Sequence, residues 1–319
     1  MAALVKQRGS WVSKEFFFGA LNRDLWIIFL SNMLLSFGDG LYFYVFPLYI
    51  RSPELGGTPG DVGYIYSVLG LASALTPILG GFLADKYDRK KLMILTFLIW
   101  VPVPLMFSLA NHWSHLILSS FLYGCYIGGP AASAYVATFA KKEKMAIAFT
   151  TISASWSLGY IFAPSIGSYL TTIIGMRHVF HIAFILFIMA TVALFFIRSQ
   201  HATSHSSELP KPSTSFKPKK ILAWALFFAT IFFTITLFRP CVPQFFKDVY
   251  GPIYGYGDFH VGIFGSITFF GSFILAIGLG KIGDKWNKAT AVLTALILSI
   301  ASVGLLISSG DFVVLIFSS

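Results

Sequence analysis

The 319-residue chain has few charged residues, few cysteines and no segment with the alternating pattern of a membrane-spanning strand. Charged residues make up 11% of the chain, whereas soluble domains carry about 25%, so an ordinary water-soluble fold is excluded. Its two cysteines, Cys125 and Cys241, both lie within apolar runs, so a secreted disulfide scaffold is not indicated. A β-barrel is excluded because the apolar runs do not alternate apolar and polar residues.

The sequence also lacks the patterns on which catalysis or ATP binding would depend. No apolar run pairs two histidines with a carboxylate or a serine with a base, and no glycine-rich loop ends in Lys-Ser or Lys-Thr. A membrane enzyme or receptor scaffold is therefore a remote alternative, and we predict no enzyme activity, no cofactor and no metal site. The net charge of +10 does not indicate nucleic-acid binding, because the cations are distributed by membrane side.

What the chain has instead is a series of apolar runs of about 20 residues, the length that crosses a bilayer as a helix. We predict membrane spans at about 26–50, 62–84, 92–110, 116–140, 146–172, 178–197, 221–246, 261–280 and 289–309. Another apolar run begins at Phe312. The predicted fold class is therefore all-α transmembrane, with the lipid bilayer as the main partner.

Lysine and arginine segregate to one side of these spans. With the N-terminus inside, 19 of the 23 basic residues lie in inner segments, and the positive-inside rule then places the N-terminus in the cytoplasm, most simply at the cell membrane. Residues 199–219 form a long polar segment and are predicted to be a flexible cytoplasmic linker. It divides an N-terminal six-helix bundle (1–198) from a C-terminal bundle (220–319).

The polar loop after the second span carries a distinctive pattern. Residues 80–91 read GGFLADKYDRKK, and Gly81, Asp85, Arg89 and Lys90 match a loop pattern of the major facilitator superfamily, which this chain resembles. Asp88 stands where that family most often has glycine, and a carboxylate there can cap the next helix. Glycines 80 and 81 allow close approach of a neighbour, and Asp85 can accept backbone N–H groups at a helix N-terminus.

The pattern recurs 199 residues later in the chain. The matching pairs are Gly81 with Gly280, Asp85 with Asp284, and Arg89 with Lys288. Because the superfamily consists of two six-helix halves, the resemblance implies a complete N-terminal half, three to four helices of the second half, and an inner gate at the two loops. It also implies that the chain is a C-terminally truncated version of a longer protein.

Charged residues at membrane depth are the first candidates for a solute site. A charge at the centre of a span costs about 2.5–3.5 kcal/mol on insertion scales, so it usually faces a cavity or a partner. We hypothesise that Asp39 and Arg239, on counterpart spans of the repeat, face the central cavity and contact solute, a coupling proton or each other. Alternatively, local hydroxyls and backbone groups satisfy each charge. Further candidates are Asn32, Tyr123, Tyr126, Tyr135 and Trp156.

The fifth span contains the spacing Gly159-x-x-x-Ala163-Pro164-x-x-Gly167-Ser168. It is similar to a pattern of the superfamily's antiporters, although ordinary small-residue packing explains it equally well. In the third span, Pro102 and Pro104 lack backbone donors and should bend the helix.

The resemblance implies a secondary transporter that moves a small solute by alternating access. A proton or another ion is the implied coupling partner. Efflux of drugs or hydrophobic compounds and import of sugars or organic acids remain alternatives. An aromatic content of 17% and the pattern in the fifth span favour efflux, but the sequence does not specify the substrate.

Overall fold

The computed structural model describes residues 21–140, 145–200, 239–285 and 288–308, and only the backbone of residues 146–147, 276–285, 288–289, 291–292, 303 and 306–307. In chain order the helices are α1 (Arg23–Phe43), α2 (Phe46–Ile50), α3 (Pro59–Ala84), α4 (Arg89–Trp100), α5 (Pro102–Ser108), α6 (Leu116–Gly124), α7 (Gly128–Phe139), α8 (Met145–Ile174), α9 (Met176–Leu194), α10 (Cys241–Phe245), α11 (Gly251–Tyr254), α12 (Asp258–Lys285) and α13 (Lys288–Ser308). A 3₁₀ turn (Trp113–His115) precedes α6, and a π-helical segment (Phe246–Tyr250) follows α10. The described residues contain no strand, which confirms the all-α prediction.

Several helical segments of the described chain are long and apolar enough to cross a membrane. The five segments are Arg23–Phe43, Pro59–Ala84, Arg89–Ser108, Met176–Leu194 and Asp258–Leu275. They coincide with five of the predicted spans. The span predicted at 221–246 and the linker predicted at 199–219 lie mostly outside the described residues, so the division into two bundles stays a prediction.

Helix α8 packs directly against α1 in the middle of the N-terminal part, which we define as residues 21–200. A Cβ atom at Gly159 would lie 2.0 Å from Ser36 Oγ, and one at Gly167 would lie 1.7 Å from the Leu41 carbonyl oxygen. Only glycine permits such an approach, which is the way small residues bring helices together in a membrane.

Polar contacts join the helix ends on the side of the bundle that carries residues 85–88, which we call the loop end. Arg198 Nε donates to Asp24 Oδ2 at 2.6 Å, and Tyr135 OH donates to the same oxygen at 3.2 Å. The hydrogen bond to Asp24 raises the pKa of the Arg198 guanidinium. Helices α1 and α7 and the segment that follows α9 are thereby joined at this end. The opposite end, which carries Ile50 and Gly175, is called the far end.

The loop between α3 and α4 divides the predicted capping roles between its two acidic residues. Asp88 is the N-cap of α4 and accepts a hydrogen bond from the Lys91 N–H at 3.2 Å, as predicted. Asp85 is instead the exposed residue that follows the C-terminus of α3, and it caps no helix N-terminus among the described residues. Asp88 takes the capping role because it lies closer to the next helix, and its carboxylate reaches the unpaired N–H groups there.

Two of the predicted spans, the first and the third, are each divided between two helices. The third span divides at Val101, immediately before Pro102, where the two prolines predicted a bend. The first span divides at Tyr44 and Val45, between α1 and α2. At both joints the linking residues keep right-handed helical backbone angles.

The fourth predicted span, at 116–140, is formed by two helices rather than one. Its two halves, α6 and α7, are separated at residues 125–127. The N–H of Tyr126 donates to Thr76 Oγ1 at 2.9 Å, and the N–H of Gly128 donates to Thr96 Oγ1 at 2.6 Å. Hydroxyls from α3 and α4 therefore satisfy backbone groups that the break leaves without a helical partner.

The two adjacent glycines at the end of α3 do not behave alike. A Cβ atom at Gly80 would lie 2.1 Å from the Ile127 carbonyl oxygen at the break, which is the close approach that the sequence predicted. Gly81 has nothing within 4 Å of its Cβ position, so the same prediction was wrong for that residue among the described contacts. Gly80 shares this role with Gly124 of α6, whose Cβ would lie 2.4 Å from the Leu69 carbonyl oxygen of α3.

Candidate functional site

A cavity of about 560 Å³ lies between α1, α3, α6 and α8, with Arg239 on its border. Its lining contains one acid, Asp39, and one base, Arg239. The aromatic lining residues are Tyr42, Phe43, Phe46, Tyr66, Trp100, Phe107, Tyr123, Tyr126, Trp156 and Tyr160. Small-molecule sites commonly have this size and combine an apolar lining with a few placed polar groups.

Two tyrosines from other helices hold the Asp39 side chain. Tyr123 OH, from α6, donates to Oδ1, and Tyr160 OH, from α8, donates to Oδ2. Asp39 is only 1% exposed, so these donors replace the water that a carboxylate loses on burial. A Cβ atom at Gly40 would lie 2.6 Å from Ala163 Cβ, and this close packing brings α8 within reach of the carboxylate.

Arg239 lies immediately before α10, and its guanidinium carbon is 3.6 Å from the centroid of the Phe43 ring. This is a cation–π contact. Within the part of the chain that the structure describes, no ion pair joins Arg239 to a carboxylate. Its N–H groups are therefore not committed to an acidic partner there.

Most of the residues that the sequence singled out for a solute site meet at this cavity. Those lining it are Asp39, Arg239, Tyr123, Tyr126 and Trp156. Asn32 is buried in α1 but does not line the cavity. Tyr135 lies at the loop end, where it contacts Asp24 and Arg198. Among the described residues, no three His, Cys, Asp or Glu side chains are placed to hold a metal ion.

Sequence reasoning missed Tyr160, Tyr42, Tyr66 and Trp100, which also line the cavity. The sequence did contain a signal for Tyr160. It adjoins Gly159, and Asp39 lies between two glycines, so the small residues that bring α1 and α8 together also place these two side chains face to face.

One buried polar atom on the cavity lining, Trp100 Nε1, has no hydrogen-bond partner within the described structure. Trp100 also stacks on Tyr126, with ring centroids 5.5 Å apart and an interplanar angle of 12°. A buried polar atom without a partner costs about 1–3 kcal/mol, so a ligand that satisfies this atom would gain free energy.

Contacts between the N-terminal part and the C-terminal part (residues 239–308) cover the cavity towards the far end. Phe269 of α12 stacks on Tyr160 with centroids 4.5 Å apart. Ser165 and Ser266 share a hydrogen bond of 2.7 Å between their hydroxyl oxygens. Beyond these contacts, Arg51 and Asp248 form an ion pair of 2.6 Å. The described conformation is therefore closed at the far end.

At the loop end, the predicted gate residues of the first loop bind helix ends. Arg89 donates to the Ala134 carbonyl at 3.2 Å and to Thr138 Oγ1 at 3.0 Å, and Lys90 donates to the Phe195 carbonyl at 2.7 Å. Cations are stabilised there because unpaired carbonyl groups give a helix C-terminus partial negative charge.

The corresponding residues of the second loop are Gly280, Asp284 and Lys288. For them the structure describes only the backbone, which is helical. The contacts of these side chains therefore lie outside what is described, and the inner gate stays a prediction.

Comparisons with known proteins give one consistent result. A family model described as Major Facilitator Superfamily matches residues 28–319. Multidrug resistance protein MdtG of Enterobacter lignolyticus (strain SCF1) is 29% identical over 292 residues, which cover 87% of this chain and 68% of that protein. Quinolone resistance protein NorA of Staphylococcus aureus (strain COL) is 23% identical over 300 residues, covering 92% and 75% of the two proteins.

Solved structures show the same likeness in fold. The nucleoside transporter NupG superposes with a TM-score of 0.71 at 14% identity, covering 93% of this chain and 78% of that one. A bacterial homologue of the human lysosomal transporter Spinster, in an inward-facing and unoccupied conformation, gives a TM-score of 0.67 at 17% identity, covering 96% and 72%. At these identities the likeness establishes the fold and nothing more.

Proposed function

The chain belongs to the major facilitator superfamily of membrane transporters, and we propose that it carries a small aromatic solute through the cavity around Asp39 by alternating access. As a member of a transporter family it is not an enzyme. The observation that carries the proposal is the meeting of α1, α6 and α8 at one buried carboxylate inside an aromatic-lined cavity. Arg239 lies at the border of the same cavity, from the other part of the chain.

Efflux of aromatic or hydrophobic compounds is the direction that we favour. Ten aromatic side chains line the cavity, and flat rings offer stacking surfaces to an aromatic solute. The relatives MdtG and NorA are named for multidrug and quinolone resistance. Import of organic acids is the second candidate, because the Arg239 guanidinium offers donors to a carboxylate.

Coupling to an ion gradient is assigned to Asp39. A carboxylate buried in the cavity can take up or release a proton as the conformation changes, and its contacts with Tyr123 and Tyr160 would change with it. Protonation removes a charge that two helices help to hold, so it alters the relative stability of the conformations. We place the loop end in the cytoplasm, in accordance with the basic residues of its loops.

The experiment uses the full chain in sealed vesicles, with transport of labelled aromatic compounds followed with and without a proton gradient. We expect gradient-driven transport by the natural chain, its loss in Asp39→Asn, and natural rates in Glu54→Gln. Glu54 is a matched control because it is an exposed carboxylate paired with Arg177 at the far end. Natural rates in Asp39→Asn would refute the assigned role of Asp39.

A further inference from the structure

We infer that the solute bound in this cavity is an aromatic anion, with its carboxylate on Arg239 and its ring among the aromatic side chains. This inference rests on the proposed function and specifies the chemical class of the solute. It starts from the unequal states of the two charged residues on the lining. Both oxygens of the Asp39 carboxylate accept hydrogen bonds from the protein, whereas the Arg239 guanidinium has no ion-pair partner in the described part of the chain.

Asp39 is poorly placed to receive a solute cation. Each of its oxygens already accepts a tyrosine hydroxyl, and the residue is almost completely buried. A cationic solute would have to displace Tyr123 or Tyr160, or share the carboxylate with both. Displacement leaves a buried hydroxyl without a partner, which costs free energy.

Arg239 is in the opposite state. Its guanidinium lies over the Phe43 ring on the cavity border and has no ion-pair partner in the described part of the chain. The sequence from 221 to 247 contains no Asp or Glu, so its own segment supplies none. A guanidinium has five N–H donors in a planar fork that matches a carboxylate. Phe43 also holds that plane against the lining, which prepares it for binding.

The rest of the lining fits the ring of such a solute. Trp100 and Tyr126 are stacked with each other, so a flat surface is already present. Trp100 Nε1 adds a buried polar atom that no described residue satisfies. Together these groups favour a flat aromatic acid with a further polar substituent over a purely apolar compound.

The test compares the binding of three matched compounds, 2-naphthoate, 2-naphthamide and 2-naphthylmethylammonium, to the full chain in lipid nanodiscs by equilibrium dialysis. We expect 2-naphthoate to bind about tenfold to a hundredfold more tightly than the amide, the range for one hydrogen bond to a charged group, and the ammonium compound to bind least. Equal affinities, or tightest binding of the ammonium compound, would overturn the inference.

Two substitutions give opposite expected changes. Arg239→Gln should reduce the affinity for 2-naphthoate to that for the amide, whereas Asp39→Asn should increase it several-fold by removing a neighbouring negative charge. An increase in affinity cannot come from misfolding. Lys247→Gln is the control, because Lys247 lies at the far end and is paired with Asp258, and it should change neither affinity. A decrease in Asp39→Asn would contradict the inference.

The inference and the proposed function fail in different ways. Transport of neutral or cationic compounds with no preference for the carboxylate would leave the transporter in place and remove the aromatic anion as its solute. If the chain bound the carboxylate tenfold more tightly than the amide but transported no compound, the aromatic anion would stand as the ligand and the proposed transport would be refuted.

Discussion

The Arg51–Asp248 ion pair should stabilise the conformation that is closed at the far end. Among the described residues it is the salt bridge that joins the N-terminal part to the C-terminal part, with a distance of 2.6 Å from Arg51 Nη1 to Asp248 Oδ2. Gln244 contacts the same guanidinium nitrogen at 3.4 Å. If transport requires the far end to open, this pair must break in every cycle, and Asp248→Asn should favour the open conformation.

The size of the effect follows from exposure. The side chains of Arg51 and Asp248 are 25% and 48% exposed, and such accessible pairs contribute about 0.2–1 kcal/mol. We therefore expect Asp248→Asn to change the ratio of closed to open chains by up to about fivefold. Asp258→Asn is the matched control, because it breaks the nearby Lys247–Asp258 pair, both members of which belong to the C-terminal part.

Spin labels at Pro53→Cys and Ile253→Cys, both exposed residues at the far end, report the opening as a distance measured by pulsed electron paramagnetic resonance. The control substitution should leave the distance distribution unchanged. Exchanging the charges, with Arg51→Asp and Asp248→Arg together, should restore the closed population. Equal changes in Asp248→Asn and Asp258→Asn would show that the effect is general surface electrostatics, and the reasoning would be refuted.

Two further predictions concern stability and are measured as thermal unfolding in detergent. Gly167→Ala should destabilise the protein by about 1–3 kcal/mol, because the added Cβ would overlap the Leu41 carbonyl. Gly63→Ala is the control and should be neutral or stabilising, because nothing lies within 4 Å of its Cβ position. Equal losses of stability in the two variants would show that the helix contact is not the cause. Asp88→Ala should cost about 0.5–2 kcal/mol through the lost cap on the Lys91 N–H, and an unchanged midpoint would show that the cap contributes little.

The helices and their membrane character could be predicted from the sequence because burial in lipid requires long apolar runs, and such runs are visible without any tertiary contact. The interruption before Pro102 was predictable for a similar reason, since proline lacks the backbone N–H that continues a helix. The break in the 116–140 span was not, because it depends on Thr76 and Thr96, which come from two other helices.

The candidate site was likewise predictable only in part. Asp39 and Arg239 were recognisable because charge is rare and expensive in a span. Their different states were not recognisable, because tyrosine is common in apolar runs and only the packing of α6 and α8 selects Tyr123 and Tyr160 as donors. Asn32 lies seven residues before Asp39, on the same face of α1, but the lining from that helix begins at Leu35, and the sequence does not give where along a helix the cavity ends.

The threonine contacts at the interrupted helix also restrict how the protein can move. Because α3 and α4 each supply an acceptor to the segment between α6 and α7, none of these helices can slide along its axis without breaking a hydrogen bond inside the membrane. They should therefore travel as one block during a transport cycle. The hinge that such a cycle needs must lie elsewhere. The joint at Tyr44 and Val45, which separates α1 from α2, is a suitable place.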